Sequence, residues 1–165
     1  MIVFYCTQPL AKQLGIRLVE SNQTSTGILG GWYATRLHVG AQRFALCLNE
    51  RSLLPVIMPS KRTEFPCRFS DHLVRVLQYL EIPADFVETE SRAAQEFCFT
   101  PTRSKSLLGS LNDFGQSARF MMLDSPNPCD YIEANHRLTQ MPSKPIAYSF
   151  PADVVQGLFS VAGRA

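Results

Sequence analysis

The densest run of chemistry-bearing residues is Arg103-Ser-Lys-Ser-Leu-Leu-Gly-Ser-Leu-Asn-Asp113. Arg103 and Lys105 stand just before the expected start of an amphipathic helix. The first N–H groups of a helix have no intrahelical partner, and the helix dipole adds positive potential there. Ser106 is placed to cap that helix or to bind an anion, and Gly109 permits close approach. Such an arrangement can hold a phosphate. The glycine-rich lead-in and the Gly-Lys-Ser/Thr order of a nucleotide-binding phosphate loop are missing. The residues marked as a candidate anion site are Arg103, Lys105, Ser106, Gly109, Ser110, Asn112 and Asp113. An architectural reading stands beside it. In that reading Ser104 or Ser106 caps the helix, Gly109 packs against a neighbour, and the cations are solvated.

The remaining constellations are sparser. His38, His72 and His136 are isolated in sequence. No His-x-x-x-His or glutamate-paired spacing makes a metal site, so neither a metal nor a cofactor is expected. No Gly-x-Ser-x-Gly elbow supports a nucleophilic serine. Asp113 and Glu50 form a candidate acid–base pair. Trp32 and Tyr33 beside Arg36 offer a surface for stacking a base or contacting a partner, although a tryptophan after two glycines at a strand start also serves as a core anchor. The five cysteines are odd in number and none lie close together. They read as buried free thiols of a reducing, cytoplasmic compartment.

The marked segment also carries a resemblance. Ser104-Lys-Ser-Leu-Leu-Gly-Ser-Leu-Asn-Asp-Phe114 resembles the pattern Asn-Arg-Ser-Val-Leu-Gly-Ser-Leu/Met-Asn-Asp-Phe of an uncharacterised family of small bacterial proteins, a domain of unknown function. The similarity spans nearly the whole chain: Cys6-Thr7 after the opening strand, Gly30-Gly-Trp-Tyr-Ala34, Asn49-Glu50, Leu54-Pro55, and the tail Leu138-Thr-Gln-Met-Pro142 with Pro145 and Pro151. Lys105 stands where the pattern has arginine, so a forked contact to an anion is unavailable there. The resemblance implies domain limits and a marked segment, not a reaction.

The elements that must position these residues follow from periodicity. Ile2–Cys6 reads as a strand, followed by a short helix between Thr7 and Gly15. Ser21–Gly31 is a loop. Trp32–Val39, Arg43–Leu48 and Leu53–Met58 form a meander, and Pro55 marks an edge or a bulge. Phe65, Phe69, Leu73, Val76, Leu77 and Leu80 recur at helical spacing. A shorter helix starts at Pro83, and Glu96–Thr100 is a further strand. Leu107, Leu111, Phe114, Ala118 and Met121 mark a second long helix. Another runs from Cys129 to Gln140, and a last one from Ala152 to Val161.

With 165 residues, 45% hydrophobic and 18% charged, the chain suits one globular domain over residues 1–165 rather than a disordered segment. The formal net charge of +2 points to no particular partner, although twelve of the sixteen cationic residues are arginine. No apolar run is long enough to span a membrane. The expected fold is α+β, an antiparallel sheet of about four strands with helices packed on one face. Two function classes follow. One is a non-enzymatic interaction module with a macromolecular partner, such as accessory cargo of a mobile element. The other is an enzyme or toxin acting on RNA, a nucleotide or another phosphate-bearing ligand.

Overall fold

The computed structural model describes residues 1–61, 63–127 and 130–165. Five strands make one sheet in the order β4-β3-β2-β1-β5: β1 Ile2–Cys6, β2 Trp32–Val39, β3 Gln42–Asn49, β4 Pro55–Pro59 and β5 Phe97–Pro101. The β2–β3–β4 meander is antiparallel, but β1 runs parallel to both β2 and β5. The expectation of about four antiparallel strands is therefore corrected to five in a mixed sheet. Connection length explains the difference. Parallel neighbours need long crossovers. The path from β1 to β2 passes through helix α1, Gln8–Leu14, and that from β4 to β5 through α2, Phe65–Tyr79, and α3, Ala84–Ala93.

Helices cover both faces, not one. The first core gathers Phe4, Trp32, Ala34, Ala45 and Cys47 with Phe65, Phe69, Leu73 and Leu77 of α2, and with Val155 and Phe159 of α6, Pro151–Ala162. The second gathers Tyr33, Leu37, Phe44, Leu46 and Ile57 with Leu111, Phe114 and Ala118 of α4, Lys105–Asp124, and Ala134 and Leu138 of α5, Tyr131–Leu138. In β3 the residues Ala45 and Cys47 look weakly apolar in sequence because they are small. Their size leaves room for rings such as Phe69, which packs edge-on against Trp32 and Phe4. Phe69, Leu73, Leu77 and Phe114 are all buried, as their spacing implies.

Pro55 does mark an edge, since β4 ends the sheet. That edge is closed by a side chain. Asn135 of α5 accepts from the Ile57 N–H at 2.6 Å and donates to the Pro55 carbonyl at 3.0 Å, as a neighbouring strand would. Cys129, expected to open this helix, lies outside the described residues, and the helix starts at Tyr131 behind the cap Asp130. The Ser21–Gly31 loop is tied down: Ser25 accepts from the Val3 N–H, and Glu90 of α3 accepts from Ile28. Among the described cysteines, Cys6 and Cys47 are buried free thiols, whereas Cys67 is exposed and Cys98 half-buried. Burial as a general rule for the thiols is corrected accordingly, because Cys67 falls on the solvent side of the first turn of α2. Among the described residues no helix is long and apolar enough to cross a membrane.

Candidate functional site

The marked segment forms the first half of α4, and Ser104 is its cap, with Oγ accepting from the Leu107 N–H at 3.2 Å. Leu111, Phe114, Ala118 and Met122 are buried beneath the helix against the sheet. That leaves Ser106, Gly109 and Asp113 on the outer side, all exposed. Ser110 sits at the boundary, with its hydroxyl donating to the Ser106 carbonyl at 3.3 Å.

Opposite this flank runs the segment that leaves α5. Met141 and Ile146 pack on the second core and hold it there. Lys144–Ile146 makes a single 3₁₀ turn. The loop then closes on itself: Tyr148 donates from its N–H to the Ser143 carbonyl at 2.9 Å, and Ser149 to Ile146 at 3.0 Å. Closure puts Ala147 and Tyr148 in the left-handed region, at φ 54° and 59°. Two consecutive residues other than glycine in that region are strained.

Between the two walls lies a groove of about 330 Å³. One side is Ser106, Gly109, Ser110, Asp113 and Phe114, and the other is Met141, Pro142, Ser143, Lys144 and Pro145. Gly109 does not pack against a neighbour. A Cβ built there meets nothing within 4 Å, so the helix backbone itself is bare in the groove wall. The groove thus offers three hydroxyls, one carboxylate, one ammonium group and two proline rings.

Four of the seven marked residues meet in this groove, and three do not. Arg103 is turned away. Its guanidinium donates to the Ser21 carbonyl, lies 3.8 Å from Glu20 and sits 5.8 Å over the Tyr5 ring. Lys105 and Asn112 are exposed on α4 outside the groove lining. Glu50 does not join Asp113: it accepts from the Gly31 N–H at 2.6 Å and is absent from the groove lining. Trp32 and Tyr33 are buried and offer no stacking surface. Tyr33 stacks on Tyr5 with ring centres 4.7 Å apart, and burial pushes its phenol above the ordinary value against the opposing pull of the Ser104 and Arg103 backbone amides.

The chain belongs to the DUF6933 family, a domain of unknown function. The family model matches residues 3–154, so both walls of the groove lie within the DUF6933 match. No curated protein and no solved structure matches the chain. Membership therefore brings no activity with it, and the chemistry of this DUF6933 domain has to be argued from its own side chains. Among the described residues no group of three His, Cys, Asp or Glu side chains stands close enough to hold a metal ion. The groove's cation, Lys144, is not signalled by the pattern around Ser106 because it is far from Ser106 in sequence. The cluster of prolines around it was the only local signal.

Proposed function

We propose that residues 1–165 form a single domain that works as a non-enzymatic interaction module, taking a segment of a partner protein into the groove between α4 and residues 141–145. The observation that carries this reading is the mixed lining. Donors, acceptors and both signs of charge stand beside proline rings and an uncovered stretch of helix backbone. A peptide backbone, with alternating N–H and C=O groups, matches such a surface. A polyanion does not, because Asp113 opposes whatever Lys144 attracts. Gly109 adds support. Glycine inside a helix costs roughly 0.5–1 kcal/mol relative to alanine, and no packing constraint accounts for it here.

The test is selection from a library of random peptides on immobilised domain, followed by affinity measurement on variants. Gly109→Gln adds a side chain in the groove wall where a Cβ meets nothing within 4 Å, and should abolish binding. Gly157→Gln, at an equally open glycine on α6, should leave it unchanged. Failure to enrich any peptide, or equal binding by the Gly109 variant, would refute the reading.

A phosphate-bearing ligand is the second reading, and one observation favours it. Ser106 belongs both to the first turn of α4 and to the groove, with Lys105 beside it and Lys144 across from it. Against it, Arg103 is engaged by Ser21, and a dipole alone contributes only about 0.3–1 kcal/mol at an exposed helix start. Titration with inorganic phosphate and short RNA decides between them. Salt-sensitive binding that weakens in Lys105→Ala would favour the anion over the peptide.

A further inference from the structure

A second cleft, of about 640 Å³, adjoins the groove where α2, α4 and α5 meet. Its lining includes two stacked rings. Tyr79, at the end of α2, stacks face to face on His136 of α5, with ring centres 3.7 Å apart and planes 4° from parallel. Tyr79 is nevertheless 49% exposed, so the stack presents aromatic surface to solvent. Met121 of α4 and Met141 line the same cleft. Methionine is unbranched and polarizable, makes favourable contacts to ring edges and adapts to different occupants.

The rim carries charge of both signs. Glu133 and Arg137 stand one helical turn apart on α5 and line the cleft. Among the described residues the ion pairs are Arg68–Glu64, Arg92–Glu88 and Arg103–Glu20, so neither rim charge is committed to one. An open cleft lined by stacked rings, two methionines and charges of both signs suits an aromatic side chain carried on a peptide. Rings of this kind dominate protein interfaces because they bury a large area with few rotors.

The two clefts share a wall, since Met141 and Pro142 line both. On α4, Ser110 belongs to the first and Met121 to the second. At 1.5 Å of rise per residue their separation along the helix is roughly 17 Å. An extended chain covers that distance in about five residues. We propose that the Tyr79–His136 cleft is the anchor pocket for an aromatic side chain of the partner segment, about five residues along the chain from the residue that lies over Ser110. The partner segment and the spacing rest on the peptide reading above, whereas binding of an aromatic ring in this cleft does not.

Two measurements separate the claims. N-acetyl-tryptophanamide, titrated into the isolated domain, should shift the ring signals of His136 in NMR spectra, and Tyr79→Leu should remove the effect. Peptides selected on the wild type should carry an aromatic residue, and Tyr79→Leu or Met121→Lys should weaken them about tenfold. Met121→Lys provides an independent readout if Tyr79→Leu disturbs the end of α2. Unmoved His136 signals together with unchanged peptide affinity in both variants would overturn the anchor pocket, while continued blocking by Gly109→Gln would keep the groove reading intact. Binding of the tryptophanamide with no peptide enriched would do the reverse.

Discussion

Two regions of this molecule are rich in polar side chains, and they treat those side chains in opposite ways. In the corner joining β3 to the Gly30–Gly31 turn, Asn49 is fully buried and spends every polar atom on backbone or on Ser52. It donates to the Leu29 carbonyl at 2.9 Å and the Gly31 carbonyl at 3.2 Å, and accepts from the Ser52 N–H at 3.0 Å and the Ser52 hydroxyl at 2.9 Å. Glu90 of α3, also buried, holds the same loop through one carboxylate oxygen, accepting from Ile28 at 2.6 Å and Leu29 at 3.3 Å. In the groove beside α4, Ser106, Asp113 and Lys144 are exposed. Buried polar groups are expensive unless satisfied, so the first region is architecture held by its own bonds. In the second region Ser106, Asp113 and Lys144 are not spent in this way.

The largest expected effect breaks the first region. Asn49→Ala orphans the Leu29 carbonyl and the two Ser52 donors together, while the Gly31 carbonyl keeps the Glu50 N–H. Each buried group left unmatched costs about 1–3 kcal/mol, so a loss of about 3 kcal/mol or more is expected. Urea denaturation with an unchanged slope measures it. A loss below about 1 kcal/mol would mean that water repairs the corner and that the contrast between the regions is weaker than drawn.

Glu90 sharpens the same side of the comparison. Burial, opposed by the Ile28 and Leu29 amides, raises its carboxyl above the ordinary 4.5. A group whose pKa is raised on folding stabilises the native state fully below its unfolded value, and that contribution is lost as pH rises through the folded value. The wild type should therefore lose stability relative to Glu90→Gln as the pH rises above about 4.5, because glutamine keeps an oxygen for both amides and carries no charge. Thermal melts of the two proteins across that range test this. A difference curve that is flat, or that rises with pH, contradicts the assigned cause.

Much of this architecture was legible in the residue pattern, and the failures are instructive. The long helices and the edge character of β4 followed from spacing and from Pro55. The parallel pairing of β1 did not, because pairing direction is decided by where a crossover returns, and Ile2–Cys6 reads the same either way. The second covered face was hidden by the smallness of Ala45 and Cys47. Of the residues singled out on α4, Ser106, Gly109, Ser110 and Asp113 line one groove. Arg103 is near them along the chain but not in space. Its reach to Ser21 depends on the loop lying across β1, which no local pattern reveals. Lys144 and Tyr79 lie far from α4 in sequence and are brought near by the fold alone.

Moderate effects are expected at the glycine of the groove. Gly109→Gln replaces a poor helix former with a good one at an open position, and should raise stability by about 0.5–1 kcal/mol while removing partner binding. Gain of stability with loss of binding is the signature of a residue retained for recognition. A destabilised variant would show instead that the backbone at Gly109 is needed bare for packing, and the groove would join the architectural region.

The smallest effect is the most discriminating. Ser106→Ala and Asp113→Asn each change an exposed side chain on the outer flank of α4. The carbonyl of Ser106 that receives the Ser110 hydroxyl belongs to the backbone and survives the substitution. The cap survives too, because it is Ser104 and not Ser106 that accepts from Leu107. Removing a surface group away from caps, cores and networks changes stability by less than about 0.5 kcal/mol. Both variants should therefore melt with the wild type. Their effects on ligands should part company: Asp113→Asn removes the charge that opposes an anion, so it should strengthen phosphate or RNA binding if that is the ligand, and weaken a peptide that donates to the carboxylate. Calorimetric titration of Asp113→Asn with selected peptides and with inorganic phosphate reads the sign directly. A peptide affinity that rises on neutralising Asp113 would turn the assignment of the groove from protein segments toward anions.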